Sequence, residues 1–109
     1  MHQGDIVVCS LSGDYGKPRP AVIIQSDLFN STHSSIVVCP ITSHLVEAPL
    51  FRISLKPNKN NGLKNHSQIM VDKMTAMKRE KIKNIVGKLT PKESKQLNES
   101  LKLWLNLLD

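Results

Sequence analysis

The chain has 109 residues and a mass of 12.2 kDa, enough for one domain (1–109) with a modest core and well below the length at which chains divide. Fifteen Lys and Arg against nine Asp and Glu give a net charge of +6, which points to an anionic partner such as nucleic acid or an acidic protein segment. No apolar run approaches the roughly 18 residues of a membrane span, and Met1 to Gly4 contains no basic lead into one, so the chain is expected to be cytoplasmic, with no membrane partner.

In chain order, the first two thirds predict short strands at 5–9, 21–25, 35–39, 51–55 and 68–71. Each is β-branched or alternating and is bounded by Gly, Pro, Asn, Asp or Ser. The first three are continuous apolar runs and belong centrally, whereas Phe51, Ile53 and Leu55 alternate with Arg52 and Ser54 and predict one wet face. Together they describe a small β-barrel or strongly curved sheet. Two connections, 11–18 and 56–66, are longer than a tight hairpin requires, and such loops on a rigid sheet carry binding work or are simply surface. Between Asp72 and Lys92 seven basic residues stand against two acidic ones, either a binding face or a solvated one. Thr90-Pro91-Lys92-Glu93 then has the spacing of a capping box with proline at the first helical position, which predicts a C-terminal helix of roughly 18 residues. Leu97, Leu101, Trp104, Leu105 and Leu108 form its apolar stripe, and Leu103 and Leu107 fall beside it, as on a wide stripe or a second surface covered in a homodimer.

The run Lys17-Pro18-Arg19-Pro20 places an arginine between two prolines at the mouth of the second strand. Each proline fixes its own φ and extends the residue before it, so Arg19 is stiffened before any tertiary contact forms. A planar five-donor cation so held suits phosphate recognition or the stabilisation of charge in a transition state, although an ordinary loop arginine reads the same way. Phosphate-loop glycine patterns, HExxH and metal-spaced His/Cys clusters are missing, so no metal or other cofactor is expected. His2, His33, His44 and His66 are scattered, and Cys9 and Cys39 lie inside apolar strands as small hydrophobes. What remains is a polar set at strand ends: Arg19 before the second strand, Thr42-Ser43 after the third, and Asp72-Lys73 after the fifth. Cleavage of RNA by its own 2′-OH requires a proton acceptor, a proton donor and a fixed cation, and such strand ends could converge to supply them. Thr42-Ser43 reads equally as a strand cap.

Gly4-Asp5-Ile6-Val7-Val8, Arg19-Pro20-Ala21-Val22-Ile23-Ile24-Gln25-Ser26-Asp27, Pro40-Ile41-Thr42-Ser43, Val71-Asp72-Lys73-Met74-Thr75 and Val86-Gly87-Lys88-Leu89 resemble, in order and spacing, the MazF/PemK toxins of bacterial toxin–antitoxin pairs. The resemblance implies an SH3-like β-barrel with a C-terminal helix. It also implies a metal-independent endoribonuclease that cuts single-stranded RNA (mRNA) at short sequences, leaving a 2′,3′-cyclic phosphate and a 5′-hydroxyl. By position, Arg19 matches the family's catalytic arginine, Thr42 the threonine beside the scissile phosphate, and Asp72 an acidic position treated as catalytic in some relatives. Asp14, Tyr15, Gly16, Lys17, Pro20, Ser43, Gln68 and Lys73 are the corresponding candidates for RNA binding. Lys73 replaces a common glutamine and Gly13-Asp14-Tyr15-Gly16 an S-E-Q-G type loop, departures that bear on the recognised sequence. The implied partners are a second copy in a homodimer and an acidic antitoxin, which suits a basic chain.

Two other classes fit parts of the pattern. A non-catalytic CcdB-like poison would use the same barrel, but this chain ends Leu107-Leu108-Asp109 without the terminal tryptophan-containing signature. An RNA- or peptide-binding SH3-like module would want stacking platforms, and one Tyr, two Phe and one Trp supply few.

Overall fold

The computed structural model describes residues 1–10 and 17–107. Its strands are β1 (Asp5–Ser10), β2 (Pro18–Ile23), β3 (Ser35–Thr42), β4 (Arg52–Leu55), β5 (Ser67–Met70), β6 (Thr75–Lys78) and β7 (Ile82–Lys88). A four-residue helix, α1 (Asp27–Asn30), follows β2, and α2 (Pro91–Leu105) follows β7. All strand pairs are antiparallel, in the order β4-β5-β3-β2-β1-β7. The ladder is open, with β4 and β7 at its ends. β3 forks: residues 35–38 pair with β6, and Ile41 and Thr42 pair with β5.

The three continuous apolar runs are β1, β2 and β3, and they are central as expected. Alternate residues feed two cores, because each strand is buried on both faces. Ile6, Val22, Cys39 and Ile41 join Ile53, Leu55, Ile69, Val71, Leu89 and Leu97 beneath α2. Val7, Cys9, Ala21, Ile23, Ile36, Val38 and Met77 form the second cluster. β4 alternates as its pattern requires, with Ile53 and Leu55 buried and Ser54 exposed.

β6 and β7 were not expected from the sequence. They lie inside the basic run, where lysines at exposed positions mask the strand pattern; in β7 Ile82 and Gly87 are partly covered and the other residues exposed. Arg79, between them, is structural, since its guanidinium donates to the carbonyls of Asn30 and His33.

α2 starts as the capping box dictates. Glu93 N donates to Thr90 Oγ1 at 3.1 Å and Thr90 N to Glu93 Oε1 at 2.8 Å, a cap worth about 1 kcal/mol. The helix has 15 residues rather than roughly 18 because Asn106 turns left-handed (φ 56°) and closes the last turn. Its buried contacts are Leu97 and Ser100, with Leu101 half-buried, and Ser100 Oγ donates to Leu50 O at 2.6 Å. Trp104 and Leu105, expected on the buried stripe, are each 48% exposed, and Leu103 and Leu107 are exposed beside them. The Phe51 ring meets Trp104 at 5.5 Å and is the sheet's one ring contact there among the described residues. Leu108 lies outside the described residues.

Candidate active site

β2 and β3 run side by side through Ile23↔Val38, Val22↔Cys39 and Ala21↔Pro40, and the ladder stops there. Pro40 has no N–H to continue it, and neither has Pro20. Continued by two residues, the same register sets Arg19 opposite Thr42. The strands part at this point, and the gap is a groove of about 420 Å³ lined by Arg19, Pro20, Thr42 and Ser43 on the strand side. Arg19 is still held from behind, because β1 pairs with β2 as far as Ser10↔Pro18 and Cys9 Sγ donates to Arg19 O at 3.6 Å.

Thr42 is both a strand cap and a groove residue. Its Oγ1 accepts the N–H of His44 at 3.1 Å, which orients the hydroxyl and leaves its hydrogen available to donate. The two readings of Thr42-Ser43 are therefore compatible.

The facing wall is a stretch of the 56–66 loop, Leu63, Lys64 and Asn65, with Ser67 and Met70 below. The loop is internally tied through Asn61, which is fully buried. Asn61 Nδ2 donates to Lys56 O at 2.8 Å, while its Oδ1 accepts from the N–H groups of Asn58 (3.2 Å) and Leu63 (3.0 Å). Asn58 Oδ1 in turn accepts from Asn60 N and Asn61 N. The loop also leans on β7: Lys88 N donates to Asn60 O at 2.9 Å, and a Cβ on Gly87 would lie 2.4 Å from that same oxygen. Only glycine allows this approach. Lys64 and Asn65 were not singled out in the sequence, although the Asn-rich loop that carries them was.

Among the described residues the groove is lined by two cations, Arg19 and Lys64, and by no carboxylate or histidine. No group of three or more His, Cys, Asp or Glu among those residues is arranged to hold a metal.

The remaining sequence candidates are placed elsewhere. Asp72 sits in the 3₁₀ turn Val71–Lys73 after β5, and its carboxylate lies 4.0 Å from Arg52 Nε rather than on the groove wall. The two side chains are 18% and 12% exposed, and the contact is too long for a hydrogen bond. Burial pushes the Cys39 thiol up to about 12, and the Asp72 charge acts in the same direction. Gln68 is buried and bonded to protein: its Nε2 donates to Val46 O at 2.9 Å, and its Oε1 accepts from Val46 N at 3.1 Å and Arg52 Nη1 at 3.2 Å. It pins the 43–51 connection that begins at the groove. Lys17 and Lys73 are exposed and are not part of the groove lining. Asp14, Tyr15 and Gly16 lie outside the described residues.

Residues 2–105 match the family model of the PemK-like, MazF-like toxins of type II toxin–antitoxin systems. Over 108 residues the chain is 37% identical to a probable endoribonuclease MazF of Mycolicibacterium smegmatis, covering 98% of each protein. It is 23% identical to endoribonuclease EndoA of Bacillus subtilis, covering 100% of this chain and 97% of that protein. Among solved structures, a mycobacterial endoribonuclease in complex with its cognate antitoxin superposes with a TM-score of 0.84 at 17% identity, over 100% of this chain and 98% of that one. The Mycobacterium tuberculosis toxin MazF-mt6 follows at 0.83 and 19%, over 96% and 99%. A model match across nearly the whole sequence, a relative aligned end to end and a common fold lead to one conclusion: the chain belongs to the PemK-like, MazF-like toxin family.

Proposed function

We propose that the chain is an endoribonuclease toxin that cleaves single-stranded RNA in the groove between β2, β3 and the 56–66 loop. The observation that carries this is the convergence of Arg19 and Thr42 on one groove whose described lining bears only positive charge. In this reading a substrate 2′-oxygen forms a bond to the adjacent phosphorus as its proton leaves. The P–O5′ bond then breaks and the departing O5′ gains a proton, giving a 2′,3′-cyclic phosphate and a 5′-hydroxyl. Arg19 faces the charge growing on the phosphoryl oxygens, held in place by its two prolines and by β1. Thr42 donates its hydroxyl hydrogen to one of the same oxygens. Ser43 and Pro20 line the strand passage, and Asp72 with Arg52 and Gln68 supports the 43–51 connection rather than touching RNA.

An acidic antitoxin and a second copy of the chain are the partners this function calls for. The net charge of +6 suits an acidic segment that competes with RNA for the groove. The relative described as a complex with its cognate antitoxin supports such a partner.

Cleavage of a long RNA, with chemical typing of the new ends, tests the proposal. Arg19→Ala is expected to slow cleavage by 10²–10³-fold, the loss of one preorganised donor worth about 2.7–4 kcal/mol, with an unchanged melting temperature. A 2′-deoxy nucleotide at the cut position is expected to stop the reaction. Cutting that survives it rules out attack by the 2′-oxygen, and an Arg19→Ala protein as fast as the wild type removes Arg19 from the mechanism.

A further inference from the structure

We infer that the 56–66 loop is the specificity wall of this groove, with Lys64 holding a substrate phosphate and Asn65 reading the edge of one base; the inference rests on the groove being an RNA site. Loops read bases well only when they are rigid, because each ordered residue otherwise subtracts from binding. This one is rigid without RNA. The buried Asn61 makes three bonds within it, and the junction of Asn60 and Gly87 fastens it to β7.

Within that frame the asparagines divide by use. The Asn58 and Asn61 carboxamides are engaged inside the loop. Among the described residues the Asn65 carboxamide has no hydrogen-bond partner and the Lys64 ammonium no partner of either kind, and both line the groove. An amide presents a donor beside an acceptor, the pairing that base edges offer in unpaired RNA. Lys64 lines the same groove as Arg19, so an RNA backbone lying in it meets two cations. Arg19 serves the phosphate that reacts, and Lys64 serves a neighbour. Ser67 Oγ donates to Asn65 O at 2.8 Å, which fixes the Asn65 backbone and leaves its side chain to the groove.

The test uses the full chain and a pool of RNA oligonucleotides with a randomised segment, sequenced at the cuts. Binding is measured in parallel, across a series of salt concentrations, to an oligonucleotide carrying 2′-deoxy at the mapped cut position. Asn65→Ala is expected to lower the preference at one base position about tenfold, within the worth of one bidentate amide–base pair. Cleavage of the favoured sequence is expected to slow by a similar factor in that variant. Lys64→Ala is expected to reduce the slope of log affinity against log salt by about 0.7, the value of one phosphate contact on a single strand. It should also leave the base preferences unchanged. Lys92→Ala, on α2, is the charge control and should change neither readout. Wild-type cut profiles in Asn65→Ala, or a wild-type salt slope in Lys64→Ala, overturn the corresponding assignment while the endoribonuclease reading stands. A wild-type protein that leaves the whole pool intact overturns both.

Discussion

Cys39 shows how one side chain reports its surroundings. It is fully buried in a central strand opposite Val22, and its pKa is raised from an ordinary 9.0 to about 12, chiefly by burial and further by the Asp72 carboxylate. The folded protein therefore keeps this proton over a range in which the unfolded chain releases it. Stability from Cys39 is complete below pH 9 and declines between pH 9 and about 12, at up to about 1.4 kcal/mol per pH unit. Urea unfolding at several alkaline pH values is expected to show this slope in the wild type and a shallower one in Cys39→Ala. Neither cysteine should react with a thiol reagent in the native state, and both should react in denaturant, since both thiols are buried. That Arg19 and Thr42 stand at strand ends was legible in the sequence, because proline bracketing and a strand-end hydroxyl are local properties; that they line one groove was not. Asp72 looked equivalent by position, but the turn after β5 sets it beside Arg52 of β4 and off the groove lining, a tertiary placement.

At the scale of elements, apolar strands and the capped helix could be read directly, while β6 and β7 could not. Strand patterns are recognised by hydrophobicity, and most residues of these strands are exposed, with Met77 and Ile82 the side chains that reach the second core. The shortened helix has a similar origin: the leucine periodicity continues past Leu105, but Asn106 adopts the left-handed conformation that ends it. The 56–66 loop depends most on a single position. At Gly87 an added Cβ would fall 2.4–2.6 Å from the backbone of Asn60 and Asn61, and backbone cannot swing aside as a flexible side chain can. Gly87→Ala is expected to destabilise the protein by about 1–3 kcal/mol, as overpacking does. Its thermal melt should fall accordingly. Cleavage should lose sequence discrimination along with the loop, whereas Lys92→Ala, exposed on the helix, should melt as the wild type does.

The whole molecule is a basic, open sheet with α2 laid across it, and its apolar surface is unevenly covered. Leu103, Trp104, Leu105 and Leu107 at the end of α2, with Leu50 nearby in sequence to the Phe51 contact, remain exposed. A homodimer that covers this end of the helix would bury them. Sedimentation equilibrium is expected to give about twice the 12.2 kDa chain mass. Leu103→Glu should shift the protein toward the single chain, and an unchanged mass in that variant would place the interface elsewhere.

The hydrogen bond from Lys88 N to Asn60 O joins the terminal strand of the sheet to the loop that walls the groove. Any molecule that stiffens the loop also holds that junction shut. Deuterium uptake at the Lys88 amide, at the margin of the fold, therefore becomes a gauge of groove occupancy and slows when either nucleic acid or a competing acidic peptide is seated.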